Sequence, residues 1–186
     1  MSMNETAEMP GVAGRIVELR AYQVATRLAD FLALLNDAVG AGASIGFRWP
    51  MEDGEAEEYW REVIAAMRGG KRYLLAAYEG EQLLGCVQLD LAAKANARHR
   101  AEVQKLLVMQ SARRRGIGRR LMQAVEALAL SQGRNLLVLD VRSDDPAQRL
   151  YESIGFQVTG SVPRYAADPD GSLRDCTFLY RELAAP

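Results

Sequence analysis

An arginine- and glycine-rich segment, residues 113–122 (RRRGIGRRLM), contains the residue types best suited to binding an anion. It follows an apolar run at 103–108 that predicts a strand, and it opens a segment with apolar residues at helical spacing. Free N–H groups in the first turn of a helix bind anions, and the aligned peptide dipoles add partial positive charge. Gly116 and Gly118 lack a Cβ, so a phosphate can approach the backbone closely. The segment therefore predicts a pyrophosphate-binding site.

Two common phosphate-binding motifs do not fit this segment. The Walker loop requires a Lys-Ser/Thr pair that is missing here, and the dinucleotide fingerprint requires a glycine where Leu121 stands. The pattern [Q/R]-x-x-G-x-[G/A] does fit, with Arg113, Gly116 and Gly118 at its fixed positions. By itself, this match leaves open that the segment is simply a solvated, basic helix start.

A second constellation follows the pattern A-x-x-L-Y-x-x-x-G-F over residues 147–156. The preceding residues, 143–146, are cap formers followed by proline, which predicts the start of a short helix. A structural role explains much of the motif, with Leu150 in the core, Gly155 as the helix stop and Tyr151 as a half-buried aromatic residue. This motif alone therefore leaves a structural and a functional interpretation open.

Apolar periodicity and turn residues divide the chain into elements in the order β-α-α-β-β-β-α-β-α-β-β. Because internal repeats, low-complexity tracts and linkers are missing, we expect one domain over residues 15–186 after a flexible tail at 1–14. Helices are predicted over residues 24–39, 52–68, 116–130 and 146–154. Strands are predicted over residues 15–22, 72–78, 82–89, 101–108, 135–141, 156–159 and 176–180.

Composition limits the classes of function. A formal net charge of −1 argues against a general nucleic-acid binder, whose domain is normally basic. No apolar run approaches the ~20 residues of a transmembrane helix, so a membrane partner is not expected. Cys86 and Cys176 lie far apart in apolar runs, which predicts two buried free thiols and a reducing, cytoplasmic location. His99 is the only histidine and the cysteines lack ligand spacing, so no metal site is predicted.

Taken together and in this order, the two motifs resemble the signature of the GNAT superfamily of N-acetyltransferases, and the resemblance extends from Arg15 to Leu183. It implies an α+β (mixed α/β) GNAT fold, with a central mixed, mostly antiparallel, twisted sheet of about seven strands, helices on both faces, and strands 4 and 5 splayed apart. Asp144 departs from the pattern, because many members have asparagine there; any hydrogen bond of that asparagine to the cofactor arm stays open. Four segments further resemble the branch with the tabtoxin-resistance acetyltransferase: 42–47, 102–108, 139–141 and 165–171.

The resemblance also implies that acetyl-CoA is the cosubstrate and that it lies between the two splayed strands. Backbone groups of residues 106–108 are expected to pair with its pantetheine arm as an added strand would, and the amides of residues 114–119 are expected to hold the pyrophosphate. The cofactor-binding residues that the resemblance predicts are Leu106, Leu107, Val108, Arg113, Arg114, Arg115, Gly116, Ile117, Gly118 and Arg119.

Direct acyl transfer from a thioester to an amine requires a base for the amine, donors for the oxyanion and an acid for the leaving thiolate. The resemblance assigns Tyr151 as the acid and a backbone N–H such as that of Val108 as an oxyanion donor. Two carboxylates are candidate bases: Asp140 corresponds to the acidic partner of the tyrosine in the tabtoxin-resistance branch, and Glu102 matches a glutamate of many other members. Each also has a structural interpretation, Asp140 as a capping or turn residue and Glu102 as an exposed strand carboxylate.

The loop at 41–50 contains Phe47 and Trp49 beside Arg48 and several small residues. Apolar aromatic residues in such a loop either plug the core or form a wall of a substrate pocket. In the second interpretation, Phe47 and Trp49 bind the substrate.

These observations predict an N-acetyltransferase that acts on the primary amine of a small molecule, with an antimetabolite- or antibiotic-like amino compound as one candidate. Its expected partners are the amine and acetyl-CoA, without nucleic acid or membrane, and the protein is expected to be a monomer or a homodimer. A protein or peptide N-acetyltransferase is the alternative within the enzyme class. A non-catalytic acyl-CoA-binding regulatory module, or a nucleic-acid binder that uses residues 113–120, are the alternatives from other classes.

Overall fold

The computed structural model describes residues 14–168 and 170–184. The predicted tail at 1–14 lies outside the described residues, except for Gly14. Within these described residues, seven strands form one sheet in the order β1-β2-β3-β4-β5-β7-β6, in which only the β4–β5 pair is parallel. The strands are β1 (Arg15–Leu19), β2 (Arg72–Glu79), β3 (Gln82–Leu91), β4 (Arg100–Val108), β5 (Leu136–Arg142), β6 (Gln157–Ala167) and β7 (Leu173–Glu182). The helices are α1 (Ala21–Thr26), α2 (Leu28–Gly40), α3 (Glu55–Arg68), α4 (Ile117–Ser131) and α5 (Pro146–Ser153).

Helices cover both faces of the sheet, with a separate apolar core on each face. On one face, called the α1–α3 face, Phe31 and Trp60 pack with their ring centroids 4.8 Å apart over inward-pointing residues of β2 and β3. On the other, the α4–α5 face, Leu121 and Tyr151 pack against the opposite side chains of the same strands. Successive side chains of a strand point to opposite faces, so one sheet serves both cores. The predicted fold class is confirmed.

The parallel strands β4 and β5 separate soon after they begin. Residues 100–102 pair with residues 136–138, and the last pair joins Glu102 to Val138. Beyond this pair the two strands diverge, which leaves a gap bordered by residues 103–108 of β4 and residues 139–142 of β5. The predicted splay between strands 4 and 5 is confirmed, and the candidate site lies along it.

A β-bulge in β4 changes which side chains face which core. Between Cys86 and Gln88, β3 has one residue where β4 has two, Lys105 and Leu106. Lys105 takes a positive φ of 48°, which is uncommon for a residue other than glycine. Ala101 and Val103 precede the bulge and face the α4–α5 core, whereas Leu107 follows it and faces the α1–α3 core. As a result, Glu102 and Lys105 share the α1–α3 face although an odd number of steps separates them.

Several predicted boundaries were wrong. The single helix predicted over 24–39 is two helices, because the backbone of Arg27 leaves helical geometry (φ −111°, ψ 26°). The guanidinium of Arg27 binds Glu81 and lies 5.1 Å from the ring centroid of Tyr78. The first strand stops at Leu19, because α1 begins immediately after it. The helix predicted from residue 52 begins at Glu55. The last two strands are longer than predicted and include 157–167 and 173–182.

Candidate active site

The loop between β4 and α4 presents a row of free backbone amides. Gly116 precedes α4 with a φ of +78°, and Arg114 also has a positive φ of 64°. The first backbone bond of the helix joins the N–H of Arg120 to the carbonyl of Gly116 at 3.1 Å. Within the described part of the chain, the amides of residues 114–119 donate to no backbone carbonyl. This row, called the amide cradle, has the geometry of an anion site at a helix N-terminus.

Arginine side chains surround the amide cradle and also brace it. Arg113 donates from Nε to the carbonyl of Val108 at 3.2 Å, Arg115 pairs with Glu79, and Arg119 donates to Ser153 Oγ at 2.9 Å. Arg114 is exposed and makes no ion pair among the residues that the structure describes. The five arginines of residues 113–120 therefore combine loop bracing with positive charge around the cradle, as a polyphosphate ligand requires.

Gly118 joins the first motif to the second. A Cβ at this position would lie 3.2 Å from Leu150 Cδ2 on α5 and 3.9 Å from Leu106 Cδ2 on β4. The helix start can approach both elements closely because this side chain is absent. The packing of Leu150 confirms the structural interpretation of that residue and explains why the two motifs occur together.

The gap between β4 and β5 leaves an edge of β4 that pairs with no strand of the described residues. The N–H of Met109 donates to the carbonyl of Leu84 on β3 at 2.9 Å, so the backbone groups of the preceding residue, Val108, point the opposite way, into the gap. Leu106, two residues earlier, points its backbone groups in the same direction. An extended ligand chain can pair with this edge as an added strand. With the amide cradle at its end, the edge fits the pantetheine and pyrophosphate parts of acetyl-CoA.

Tyr151 lies on α5, on the α4–α5 side of the gap. Its side chain is buried, and its ring packs against Phe156 with centroids 6.0 Å apart. Burial raises the pKa of the Tyr151 hydroxyl, and the nearby carboxylates of Asp145 and Asp140 raise it further. The hydroxyl therefore holds its proton at neutral pH and is available as a proton donor.

The two predicted carboxylates lie on the opposite side of the gap, on the α1–α3 face. Asp140 is exposed on β5, and the thiol of Cys176 donates to its Oδ2 at 3.2 Å. Glu102 is half-buried at the point where the strands separate, and it accepts a hydrogen bond from Gln104 Nε2 at 2.9 Å. Among the described residues neither carboxylate forms an ion pair. An acid and two potential bases thus flank the gap from opposite faces.

Both predicted free thiols are buried and unpaired with each other. Burial, followed by the hydrogen bond to Asp140, raises the pKa of the Cys176 thiol to about 12. Burial alone raises the pKa of the Cys86 thiol to about 12. Both groups therefore stay protonated and unreactive at neutral pH, in agreement with structural roles.

Of the two predicted substrate-binding aromatic residues, the structure brings Phe47 to the site. Its ring makes an edge-to-face contact with Tyr59, with centroids 5.2 Å apart, on the α1–α3 face. The ammonium of Lys105 lies 5.8 Å from the ring centroid of Phe47 and 5.7 Å from that of Tyr59. Trp49 lies elsewhere, with its indole over Gly40 at the end of α2 and half of its surface exposed.

Sequence reasoning assigned no role to Lys105 or Tyr59, and it also missed a buried polar chain behind them. Gln88 is fully buried; its Nε2 donates to the Tyr59 hydroxyl at 2.8 Å, and its Oε1 accepts from Arg72 at 3.3 Å. Arg72 also pairs with Asp90. Burial raises the pKa of Tyr59, so this hydroxyl stays protonated. A glutamine inside the apolar run of β3 was the available signal, because buried polar residues are normally hydrogen-bonded.

A second aromatic pair lies next to Asp140. Phe178 on β7 is the direct cross-strand neighbour of Asp140 on β5. Tyr165 of β6 makes an edge-to-face contact with Phe178 at 5.3 Å, and its ring is half exposed. Together with Phe47 and Tyr59, this pair adds apolar aromatic surface to the face that carries the carboxylates, as small-molecule sites generally have.

No helix of the described residues is long and apolar enough to cross a membrane. The search for metal sites covered residues 14–168 and 170–184 and found no group of three or more His, Cys, Asp or Glu side chains able to hold a metal ion.

The sequence and the fold are similar to those of known families and proteins. Residues 30–156 match the family model described as "Acetyltransferase (GNAT) family". The chain is 31% identical over 110 residues to the uncharacterized N-acetyltransferase YsnE of Bacillus subtilis, a match that covers 58% of this chain and 70% of that protein.

Two further likenesses span more of the chain. An L-methionine sulfoximine/L-methionine sulfone acetyltransferase of Pseudomonas aeruginosa is 28% identical over 158 residues, covering 84% of this chain and 89% of that protein. The structure of yncA from Salmonella typhimurium, solved with its cofactor acetyl-CoA, superposes with a TM-score of 0.73 and 21% identity, covering 94% of this chain and 96% of that one. At 21% identity, the likeness to yncA concerns the fold alone.

Proposed function

The chain belongs to the GNAT family of acetyltransferases and is an N-acetyltransferase with acetyl-CoA as its cosubstrate, and from this premise we propose that it acetylates the primary amine of a small molecule. One observation carries the proposal. The gap between β4 and β5 has a protonated tyrosine on one face and, on the other, two carboxylates that form no ion pair with any described residue, on the same face as the aromatic pair Phe47 and Tyr59. This arrangement suits proton removal from an amine and proton delivery to a leaving sulfur.

We assign acetyl-CoA binding to the backbone rather than to individual side chains. The amides of residues 114–119 would hold the pyrophosphate, assisted by the surrounding arginines, and the gap-facing backbone groups of Leu106 and Val108 would pair with the pantetheine arm. The N–H of Val108 is then also available to the carbonyl oxygen of the thioester, where negative charge develops during attack. Leu107 contributes differently, because its side chain packs into the α1–α3 core and fixes the strand.

For the acyl transfer itself, we assign the acid to Tyr151. As the amine nitrogen bonds to the carbonyl carbon and the C–S bond breaks, Tyr151 donates its hydroxyl proton to the departing sulfur. A thiol has an ordinary pKa of about 8.5, so protonation by a nearby donor assists its departure. The buried hydroxyl of Tyr151 meets this requirement, because it is protonated over the whole neutral range.

We favour Asp140 as the base that accepts the proton of the amine, with Glu102 as the second candidate. Asp140 is exposed to the gap and close enough to Tyr151 to raise its pKa, so the base and the acid can act on the same small group. Glu102 already accepts a hydrogen bond from Gln104 and lies at the closed end of the gap. General base catalysis by a positioned carboxylate contributes about 10²–10⁴-fold.

We propose that the acceptor is a small amino compound rather than a protein. A relative that aligns with most of this chain is named for acetylating L-methionine sulfoximine and L-methionine sulfone, and the likeness to the tabtoxin-resistance branch favours an antimetabolite-like amine. The two free thiols favour a cytoplasmic location, where thiols stay reduced.

The test combines binding with turnover. Isothermal titration of acetyl-CoA is followed by thiol release with a panel of amino acids, neutral amines, polyamines and peptide N-termini. Tyr151→Phe is expected to keep the affinity for acetyl-CoA and to lower kcat by about 10²-fold or more, as removal of a general acid does. Tyr22→Phe, an exposed tyrosine on α1, is the matched control and should retain full kcat. Turnover with peptides alone would overturn the assignment of a small-molecule acceptor. Equal kcat values for the two variants would overturn the assignment of Tyr151 as the acid.

A further inference from the structure

We propose that Lys105 binds an anionic group of the acceptor, so that the enzyme selects amines that also carry a carboxylate or a similar anion. The inference rests on the function proposed above for the same gap. It adds to that function the charge of the substrate and the residue that binds this charge. The motifs in the sequence assigned Lys105 no role.

The position of Lys105 depends on the β4 bulge. In a regular strand, residue 105 would point to the face opposite Glu102, into the apolar α4–α5 core. The bulge and the positive φ of 48° instead turn its side chain to the α1–α3 face, together with Glu102 and Asp140. A left-handed backbone at a residue other than glycine is strained and is usually kept only where the surrounding structure enforces it. The fold thus accepts strain at the position that brings a cation to the acceptor site.

The ammonium of Lys105 lies among aromatic rings rather than among carboxylates. Its Nζ is 5.8 Å and 5.7 Å from the ring centroids of Phe47 and Tyr59, distances that allow cation–π attraction. A Cβ added to Gly46 would come within 3.7 Å of the same Nζ, so the loop passes close beside it. The side chain of Lys105 is only partly exposed, and this burial lowers its pKa.

No salt bridge joins Lys105 to another of the described residues. Arg72, a second cation of this face, is already paired with Asp90. The ionisable groups that act on Lys105 are Arg72, which opposes its charge, and Asp140 and Glu102, which favour it. A partly desolvated cation without a paired carboxylate is stabilised by an anion that arrives with the ligand.

The charges of this face match those of an amino acid. An ammonium group of the acceptor is attracted to Asp140, where the proposed base accepts its proton, while an acidic group on the same molecule is attracted to Lys105. Because the two attractions act on different groups of the acceptor, they orient the amine toward the gap. A neutral or purely cationic amine gains only the first attraction and is repelled by Lys105.

The experiment compares acceptors that differ only in the anion. Steady-state kcat/KM is measured for L-methionine sulfone and its carboxamide, and for L-leucine and its carboxamide, with wild type, Lys105→Gln and Lys105→Arg. Lys94→Gln, which removes the same charge from an exposed loop, is the matched control for net charge. Dividing the acid-to-amide ratio of the wild type by that of each variant cancels the different reactivity of the two amines.

We expect Lys105→Gln to lower the acid-to-amide ratio by about tenfold or more, the loss of one hydrogen bond to a charged group, and Lys94→Gln to leave it unchanged. Lys105→Arg keeps the charge and should retain most of the preference. Titration of acetyl-CoA checks that each variant is folded and binds its donor.

Two different failures can be told apart. If the wild type acetylates amines but the ratio is the same in Lys105→Gln, or if only amines without an acidic group are substrates, the role of Lys105 is wrong and the proposed function survives. If no amine of the panel releases thiol in the presence of acetyl-CoA, the proposed function itself is wrong.

Discussion

Two glycines at opposite ends of α4 offer a matched test of the amide cradle. Gly116 precedes the helix with a φ of +78°, and Gly133 follows it with a φ of +67°. In both places, an added Cβ meets nothing of the protein within 4 Å. Alanine therefore introduces the same backbone strain at each end without a steric clash, and only the substitution at residue 116 alters the site proposed for the pyrophosphate.

The stability effects of the two substitutions should be nearly equal. A left-handed backbone is less favourable for alanine than for glycine by about 1–2 kcal/mol. In a protein of this length, each 1 kcal/mol lowers Tm by about 2–4 °C, so both variants should melt roughly 2–8 °C below the wild type. A much larger loss in one variant would indicate a packing change rather than backbone strain.

The effects on acetyl-CoA binding should differ. In Gly116→Ala the backbone strain falls within the amide cradle, and its relaxation tilts the amides away from a common point. Loss of one hydrogen bond to a charged phosphate corresponds to about 1.5–3 kcal/mol, so we expect Kd to rise about tenfold or more. Gly133→Ala should leave Kd unchanged. The assay is isothermal titration with acetyl-CoA, and equal Kd values for the two variants would refute the assignment of the cradle.

Three further predictions concern the gap and its surroundings. A Cβ at Gly85 would lie 2.5 Å from the carbonyl oxygen of Leu107, so Gly85→Ala should shift the free edge of β4. We expect this shift to lower the free energy of unfolding by about 1–3 kcal/mol, measured by denaturant unfolding, and to weaken acetyl-CoA binding, measured by titration. Asp140→Asn should lower kcat more than Glu102→Gln does, and the reverse order in steady-state kinetics would make Glu102 the base. Because the pKa of Lys105 is lowered, its ammonium loses its proton at a pH below the usual lysine range, so KM for an anionic acceptor should rise there as pH increases. The rise should be absent in Lys105→Arg, which stays charged.

The sequence predicted the features that are coded locally. A glycine before the helix and arginines around it are sufficient to specify free amides and positive charge, and the structure has both at residues 114–119. The splay between the central strands is not coded in this way. The splay was predicted only through the resemblance to the GNAT superfamily, because no residue type in β4 or β5 indicates that the pairing ends at Glu102. Similarly, the break at Arg27 depends on contacts with Glu81 and Tyr78, which are distant in sequence.

The acceptor side of the site was beyond local prediction for a definite reason. Glu102 and Lys105 are three residues apart, a spacing that puts their side chains on opposite faces of any regular strand. They share a face only because β3 has one residue where β4 has two, and that mismatch depends on how closely the strands approach. Gly85 allows this close approach, because its Cβ would collide with the carbonyl oxygen of Leu107. A glycine on β3 thus keeps the two strands close beside the bulge, and Gly85→Ala or Lys105→Gln, but not Lys105→Arg, should change which acceptors the enzyme prefers.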